Sequence, residues 1–207
     1  MQVLRLRAAR FAQDDKVSAR WALGFLCSSV ASCEAKPRRV ESMSGVDVRD
    51  ATPEDVASIA AIYRPYVLTS AATMELEAPD EAEMLRRFRE VRSRGLPYVV
   101  AETDGEVIGY GYGAPFRPRA GYRYTVEDSI YLRADAAGKG VGRRLLEAVI
   151  VASREAGCRN MVAVIGGENP ASMAMHRAVG FAHVGVLRGA GWKFDRPQDI
   201  TLMQLEL

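Results

Sequence analysis

Cysteine and histidine are scarce in this 207-residue chain, which contains three of the first and two of the second. The three cysteines, Cys27, Cys33 and Cys158, are too few for a disulfide framework. Together with His176 and His183 they offer no zinc-ligand spacing, so no metal is expected. Free thiols favour a reducing compartment, and we therefore predict a cytoplasmic location.

Long apolar runs and a strong excess of one charge are also absent. No apolar run reaches the roughly 18 residues that a membrane-spanning helix needs. Lysine and arginine number 28 against 26 acidic residues, a net charge of +2. Such a balance argues against general nucleic-acid binding, which needs a strongly basic surface, but it permits a local basic pocket.

Residues 1–42 differ from the remainder of the chain in having many basic residues and only one short apolar patch, Trp21 to Leu26. The pattern does not favour a secretory signal, because Asp14 and Asp15 lie between the basic residues and the patch, and the patch is short. An organellar transit peptide stays open. We favour a disordered extension, or an upstream start codon with Met43 as the true beginning, and we predict one domain over residues 43–207.

Hydrophobic periodicity and turn residues predict alternating strands and helices from Val46 onward. A short strand precedes two helices, which begin at Thr52-Pro53 and Pro79-Asp80. A hairpin across Asp104-Gly105 follows. The remaining predicted elements are, in order, a strand YTVEDSIYL, a helix beginning in GKGVGRRLL, a buried strand NMVAVIGG, a helix, and closing strands FAHVGVLRG and ITLMQLEL. This order indicates a single α/β or α+β domain with a mixed sheet.

A glycine-rich turn joins the predicted strand YTVEDSIYL to the long helix. Its glycines are Gly138, Gly140 and Gly142, and the basic residues Lys139, Arg143 and Arg144 lie among or after them. Glycine permits positive φ and close approach of the backbone, and a helix N-terminus favours anions. The spacing matches neither a mononucleotide P-loop nor a dinucleotide fingerprint. A phosphate or pyrophosphate ligand is the functional interpretation, and a flexible helix entry without a ligand is the alternative.

Two motifs together resemble the GCN5-related N-acetyltransferase (GNAT) superfamily. The segment from Ala137 to Gly142 is similar to that family's acetyl-CoA loop, Gln/Arg-x-x-Gly-x-Gly/Ala, and departs from it at Ala137. Further along, Asn169, Ser172, His176 and the pair Gly180-Phe181 reproduce a second family spacing. His176 stands where many relatives carry a tyrosine that protonates the leaving thiolate.

Longer stretches narrow the resemblance to the phosphinothricin / methionine sulfoximine N-acetyltransferase subfamily. They are PFRPRAGYRYTVEDSIYL, VAVIGGENPASMAMHRAVGF and LRGAGWKFDR, and the similarity extends from Val46 to Leu207. It implies the GNAT acyltransferase fold, a mixed and mostly antiparallel central sheet flanked by helices. It also implies acetyl-CoA as co-substrate, a small amine acceptor and a homodimer.

The same resemblance implies site residues. Glu127 and His176 are expected to be catalytic. Residues expected to bind acetyl-CoA are Ile130, Tyr131, Leu132, Gly138, Lys139, Gly140, Val141, Gly142, Arg143, Asn169 and Ser172. Residues expected to hold the acceptor are Met74, Arg117, Arg119 and Tyr122. Met74 departs from the family, where an aromatic residue is usual, and so does Arg196-Pro197, where Arg-Trp is common.

The chemistry of these residues suits acyl transfer to an amine. An attacking amine must lose a proton, and Glu127 is the candidate base, while alternation turns Asp128 to the opposite face. His176 is expected to face the thioester, where it could donate a proton, orient a water or bind the acceptor's anionic group. A backbone N–H near Tyr131 or Leu132 would stabilise the oxyanion.

Each of these residues has a structural alternative. Glu127 could be a surface acid, His176 a core histidine, and Asn169 simply the N-cap of the helix that Pro170 opens. The arginines of the loop could be an ordinary solvated basic segment.

We therefore predict an N-acetyltransferase that acts on the α-amino group of a small amino-acid-like acceptor by direct attack in a ternary complex. No cysteine or serine stands in a nucleophile context. Two other hypotheses stay open at this point: acetylation of a protein or peptide N-terminus, and a non-catalytic acyl-CoA-binding sensor. A sensor would have no use for Glu127 and His176 together.

Overall fold

The computed structural model describes residues 39–40 and 45–207, and these contain one twisted sheet with helices on both faces. The sheet already includes Arg39–Val40, which lie before the predicted domain start at Met43. The prediction that residues 1–42 are an extension otherwise lies outside the described residues.

The sheet of the described residues has eight strands in the order β1-β2-β3-β4-β5-β6-β8-β7. The strands are β1 (Arg39–Val40), β2 (Asp47–Asp50), β3 (Tyr98–Thr103), β4 (Glu106–Pro115), β5 (Thr125–Leu132), β6 (Asn160–Gly166), β7 (Ala182–Lys193) and β8 (Arg196–Glu206). Within this part of the chain, β5 and β6 are the one parallel pair, and every other neighbouring pair is antiparallel. The mixed, mostly antiparallel sheet is confirmed.

Four α-helices cover this sheet in the described part of the chain: α1 (Val56–Thr69), α2 (Glu81–Ser93), α3 (Val141–Glu155) and α4 (Pro170–Ala178). Their starts follow local chemistry. Thr52 and Asp55 form a capping box ahead of α1, and the Asp80 side chain accepts a hydrogen bond of 2.8 Å from the Glu83 N–H at the start of α2. The predicted helix positions are confirmed.

The alternating sequence GYGYG of β4 explains how the two faces are packed. Its tyrosines, Tyr110 and Tyr112, stack with Tyr98 of β3 on the face that α1 and α2 cover. Its glycines face α3, where a Cβ added at Gly109 or Gly111 would lie 3.1–3.2 Å from side chains of that helix. Because glycine has no side chain, α3 approaches the sheet closely on this face.

The parallel pair β5–β6 separates half-way along its length. The two strands pair only from Thr125–Asn160 to Asp128–Ala163, whereas β6 stays paired with β8 as far as Gly166. Residues Ser129 to Leu132 of β5 therefore have no ladder partner on that side. The gap between the two strands is the feature that positions the candidate site.

The closing hairpin is longer than the sequence patterns indicate. β7 and β8 run through the segment WKFDR and meet at Phe194-Asp195, where both residues have positive φ (57° and 55°). Two successive left-handed residues make the tight turn that matches the twist of a hairpin. The sequence prediction ended the first of these strands at Gly189, because no Asn-Gly or Asp-Gly marks the turn. In the described residues no helix is both long and apolar enough to cross a membrane.

Candidate active site

A cavity of about 70 Å³ occupies the gap between β5 and β6. Residues from both strands and from α4 line it, among them Asp128, Ile130, Asn169, Ser172 and His176. Four of these five were predicted site residues, and Asp128 was not. The topology therefore brings together residues that are 48 positions apart in the chain.

The glycine turn precedes α3 with the backbone that the sequence predicts. Gly138 and Gly140 have φ of +74° and +79°, and a Cβ at either would meet nothing within 4 Å. Gly140 is the N-cap of α3, and no side chain caps the helix. The first N–H groups of a 15-residue helix are thus available to an anion. Both glycines are required by their φ, not by crowding.

The other loop residues differ in their surroundings. Gly142 lies inside the first turn of α3, where a Cβ would meet the Met175 sulfur at 3.0 Å, so this glycine serves close packing against α4. Lys139 is exposed. Arg143 pairs with Glu147 one turn along, at 2.8 Å. Lys139 therefore presents the charge least engaged by protein.

Tyr66 of α1 occupies the backbone groups of Leu132 at the gap. Its hydroxyl donates to the Leu132 carbonyl at 2.8 Å and accepts from the Leu132 N–H at 3.2 Å. The next N–H, that of Arg133, bonds to Ile108 of β4. By strand alternation the Tyr131 N–H also faces β4, and the Ile130 N–H faces the gap. Of the two oxyanion donors predicted from sequence, neither is available in this conformation, and Ile130 is the better placed.

Glu127 lies on the face of β5 that α1 and α2 cover. Burial raises its pKa from 4.5 to about 6; the neighbouring charge of Asp128 adds to the rise and Arg117 opposes it. Within the described residues no hydrogen bond engages its carboxylate. A partly buried carboxylate with a pKa near 6 is ionised at neutral pH, and it can still accept a proton readily.

His176 lies at the end of α4 with both ring nitrogens engaged. Nε2 is 3.0 Å from Oδ2 of Asp128, and Nδ1 is 2.7 Å from the Ser172 carbonyl and 3.3 Å from its hydroxyl. The ring is 3% exposed and packs edge-on against Phe181. The hydrogen bonds to Asp128 and Ser172 raise its pKa against the opposing effect of burial.

The structure does not bring the two predicted catalytic residues, Glu127 and His176, into contact. His176 bonds to Asp128, and successive residues of β5 point to opposite faces. Ile130 packs toward α3, whereas Tyr131 joins the tyrosines under α1. Asp128 does turn away from Glu127, as the sequence predicts, but His176 follows Asp128.

A larger pocket of about 460 Å³ adjoins the Glu127 face. Among its lining residues are Arg87 of α2 and Arg94 directly after that helix, the tyrosines Tyr63, Tyr98, Tyr110 and Tyr112, and Phe116 and Arg117 of the loop after β4. Arg117 was predicted here. The residues from α2 and the tyrosines were missed, because helical and strand periodicity alone presents them as core or as surface.

The other predicted acceptor residues lie apart from this pocket. Arg119 and Tyr122 are exposed, and the Tyr122 ring packs edge-on against Phe116 at 6.0 Å. Met74 lies against Gly166 and Gly191, where a Cβ on either glycine would meet its side chain. Met74 is thus next to the gap at the end of β6. The Asn169 side chain accepts a hydrogen bond of 3.0 Å from the Ser172 N–H, so its N-cap role is confirmed.

A sheet that splits between two parallel strands, with an uncapped helix N-terminus after a glycine turn beside the split, defines the class of the protein. It is an α/β protein whose helix N-terminus suits a phosphate group and whose gap adjoins that terminus through the contact of Gly142 with Met175. Among the described residues no group of histidine, cysteine, aspartate or glutamate could hold a metal ion.

Comparison with known proteins gives the family. The family model described as "Acetyltransferase (GNAT) family" matches residues 59–181. A phosphinothricin N-acetyltransferase of Alcaligenes faecalis is 42% identical over 184 residues, which are 87% of this chain and 93% of the relative. An L-methionine sulfoximine/L-methionine sulfone acetyltransferase of Pseudomonas paraeruginosa is 41% identical, over 77% of this chain and 94% of the relative.

A solved structure agrees with these relatives. The crystal structure of a GNAT superfamily phosphinothricin acetyltransferase from Sinorhizobium meliloti, in complex with AcCoA, has a TM-score of 0.77 and 46% identity. The similarity covers 79% of this chain and 89% of that one. The chain belongs to the GNAT acetyltransferase family, and it is an N-acetyltransferase.

Proposed function

We propose that this protein transfers the acetyl group of acetyl-CoA to the α-amino group of a small amino-acid-like acceptor. Phosphinothricin, methionine sulfoximine and methionine sulfone are the candidate acceptors, in line with the names of its relatives. The observation that carries the proposal is Glu127, a carboxylate with a pKa of about 6 next to an arginine- and tyrosine-lined pocket.

Acetyl-CoA fits the residues beside the gap. The uncapped N–H groups after Gly140, with Lys139 beside them, suit its pyrophosphate. The Ile130 carbonyl, on the edge of β5 that faces the gap, can accept a hydrogen bond from an amide N–H of the pantetheine arm. The thioester would supply the activated acyl carbon at the inner end of the gap.

The pocket on the Glu127 face suits the acceptor. Its 460 Å³ lies in the range of small-ligand sites. The Arg117 guanidinium, which stacks over Phe116 at 4.8 Å, can bind a carboxylate or phosphinate through two parallel hydrogen bonds. Arg119 and Tyr122 would close over the acceptor only if their loop moves inward.

The proposed reaction is a direct displacement. The amine gives its proton to Glu127 and attacks the thioester carbonyl, so that a C–N bond forms and the C–S bond breaks. The leaving thiolate has a reference pKa of about 8.5 and departs without an obligatory proton donor. The Ile130 N–H is the proposed oxyanion donor.

A thiol-release assay with acetyl-CoA tests the proposal. We expect release with the three amino acid analogues and none without an acceptor. Release with short peptides alone would favour the N-terminal acetyltransferase hypothesis. Calorimetric binding of CoA without release on any amine would favour the sensor hypothesis, and no binding would contradict the proposal entirely.

We also propose a homodimer formed through β7, which is one of the two edge strands of the described sheet. Its large apolar side chains are unusually exposed, with Val184 at 59%, Leu187 at 50% and Trp192 at 65%. An exposed apolar edge strand is a surface that natural proteins cover. Light scattering should give twice the mass of 22.7 kDa, and Trp192→Lys should shift it toward the monomer. The cytoplasmic location stays a prediction from the sequence.

A further inference from the structure

Asp128, the second carboxylate of β5, has no role in the proposed reaction. The Asp128 side chain is 2% exposed, and its two oxygens have unequal surroundings. Oδ2 meets His176, whereas Oδ1 is buried without a hydrogen-bond partner among the described residues, and Asp128 is one of the residues that line the gap. A buried acceptor without a hydrogen bond costs free energy of desolvation, so a ligand N–H that bonds to Oδ1 would be stabilised.

The hydrogen bonds of His176 fix what the pair can do. Nδ1 faces the Ser172 carbonyl, which can only accept, so Nδ1 carries a proton. Nε2 faces a carboxylate, so the pair shares one further proton between Nε2 and Oδ2. Neither ring nitrogen has a lone pair or a proton directed at the gap. His176 therefore acts through Asp128 and does not donate to the leaving sulfur.

We propose that Asp128 is a positioning residue of the acyl-transfer site. Its Oδ2 holds His176 and thereby the last turn of α4 against β5, and its Oδ1 accepts a hydrogen bond from an amide N–H of the acyl-CoA arm. This inference rests on the proposed function for the identity of the ligand. The position is suited to it because Asp128 is the last β5 residue paired with β6, at the point where the gap opens.

Two substitutions distinguish the hydrogen bonds of Asp128 from its negative charge. Asp128→Asn retains both contacts, since an amide Nδ2 can donate to Nε2 of a neutral ring while Oδ1 still faces the gap. Asp128→Leu fills similar volume and removes both. We expect the KM for acetyl-CoA to change less than threefold in the Asn variant and to rise at least tenfold in the Leu variant, with kcat lowered less than KM is raised. Asp50→Asn, on β2, is the matched control.

The two histidines allow a direct spectroscopic readout. His183 is exposed on β7 and serves as an internal reference for the ring signals of His176. Of the charged groups in the described residues, Asp128 is the one that acts on the His176 ring. We expect the His176 ring to titrate at a higher pH in the wild type than in either Asp128 variant, because Asp128 raises its pKa. Addition of CoA should shift the His176 signals and leave those of His183 in place.

The outcomes distinguish this inference from the proposed function. If the wild type binds and turns over acetyl-CoA, and Asp128→Leu folds with an unchanged KM, the inference is wrong while the function stands. An unshifted His176 signal on CoA binding also contradicts it. If Asp128→Leu unfolds, the Asp128→Leu/His176→Phe double variant, which removes the pair without leaving an unpaired partner, provides the KM measurement. A wild type that binds no CoA overturns the function itself.

Discussion

Glu127 and Asp128 are adjacent carboxylates on one strand with opposite surroundings. Glu127 has no hydrogen-bond partner in the part of the chain that the structure describes, and partial burial raises its pKa to about 6. Asp128 is almost fully buried and is paired with a histidine 48 residues away. One strand thus presents a half-buried carboxylate, the proposed proton acceptor, on one face and a buried carboxylate–histidine pair on the other.

Their neighbours explain the division. Glu127 is half-buried, and its cross-strand partner Ala114 lines the pocket on this face. The Asp128 face meets α4, whose N-cap at Asn169 fixes the helix and so fixes His176 two turns later. The proposed base Glu127 requires access to the amine, whereas Asp128 requires burial against His176. The alternation of side chains along β5 places the two carboxylates on opposite faces.

The largest expected effect comes from neutralising the base. Glu127→Gln removes the proton acceptor with little change of volume. We expect kcat/KM for the amine acceptor to fall about a hundredfold to ten-thousandfold, the usual contribution of general base catalysis. Steady-state kinetics at pH 7.5 measures this, with calorimetric CoA binding as the control that should stay unchanged. A variant that retains turnover on every accepted amine would show that Glu127 is not the base.

The sequence alone supports much of this site, and the limits are physical. Gly138 and Gly140 were predictable because positive φ before a helix leaves a signature in composition. Asn169-Pro170 likewise marks a helix start. The union of Asp128 with His176 was not predictable, because it depends on where α4 packs across the gap. The same holds for Arg87 and Arg94, which reach the pocket only through the packing of α2.

Fold stability provides the second test of the comparison. Glu127 has a folded pKa raised above its ordinary value, so between pH 4.5 and about 6 the unfolded chain has lost a proton that the folded protein keeps. Rising pH in that window therefore destabilises the fold, by at most about 2 kcal/mol from this group. Urea unfolding of the wild type and of Glu127→Gln at pH 4.5 and 6.5 measures the difference, which the Gln variant should lack.

His176, on the opposite face of β5, affects the stability of the fold in a different pH range. Its folded pKa is also raised, but its contribution is favourable: the stability is fully present below the unfolded value of about 6.5 and is lost as pH rises through the folded pKa. Above pH 6.5, the slope of the unfolding free energy against pH should therefore change in His176→Phe and stay unchanged in Glu127→Gln. Identical pH curves for the two variants would contradict the separation of the faces.

A smaller effect is expected from Arg117, the pocket residue whose positive charge lowers the pKa of Glu127. Arg117→Ala removes the guanidinium that we propose binds the acceptor's anionic group. We expect the KM for the acceptor to rise about tenfold, equivalent to about 1.4 kcal/mol, with the KM for acetyl-CoA unchanged. Arg123→Ala is the matched control, since that arginine is on the same loop but stacks on Tyr124. Equal loss in both variants would indicate a general loop effect.

The smallest expected effect is a displacement of the pH profile. Expressed per unprotonated amine, wild-type kcat/KM should fall tenfold per pH step below about pH 6, as Glu127 takes up its proton. The positive charge of Arg117 holds that pKa down, so Arg117→Ala should move the inflection upward by less than one pH step. Two further variants test whether the inflection belongs to Glu127. Arg123→Ala should leave the inflection in place. Asp128→Asn should lower it, because it removes a neighbouring negative charge. An inflection that ignores both Arg117 and Asp128 would assign the titration to a group other than Glu127.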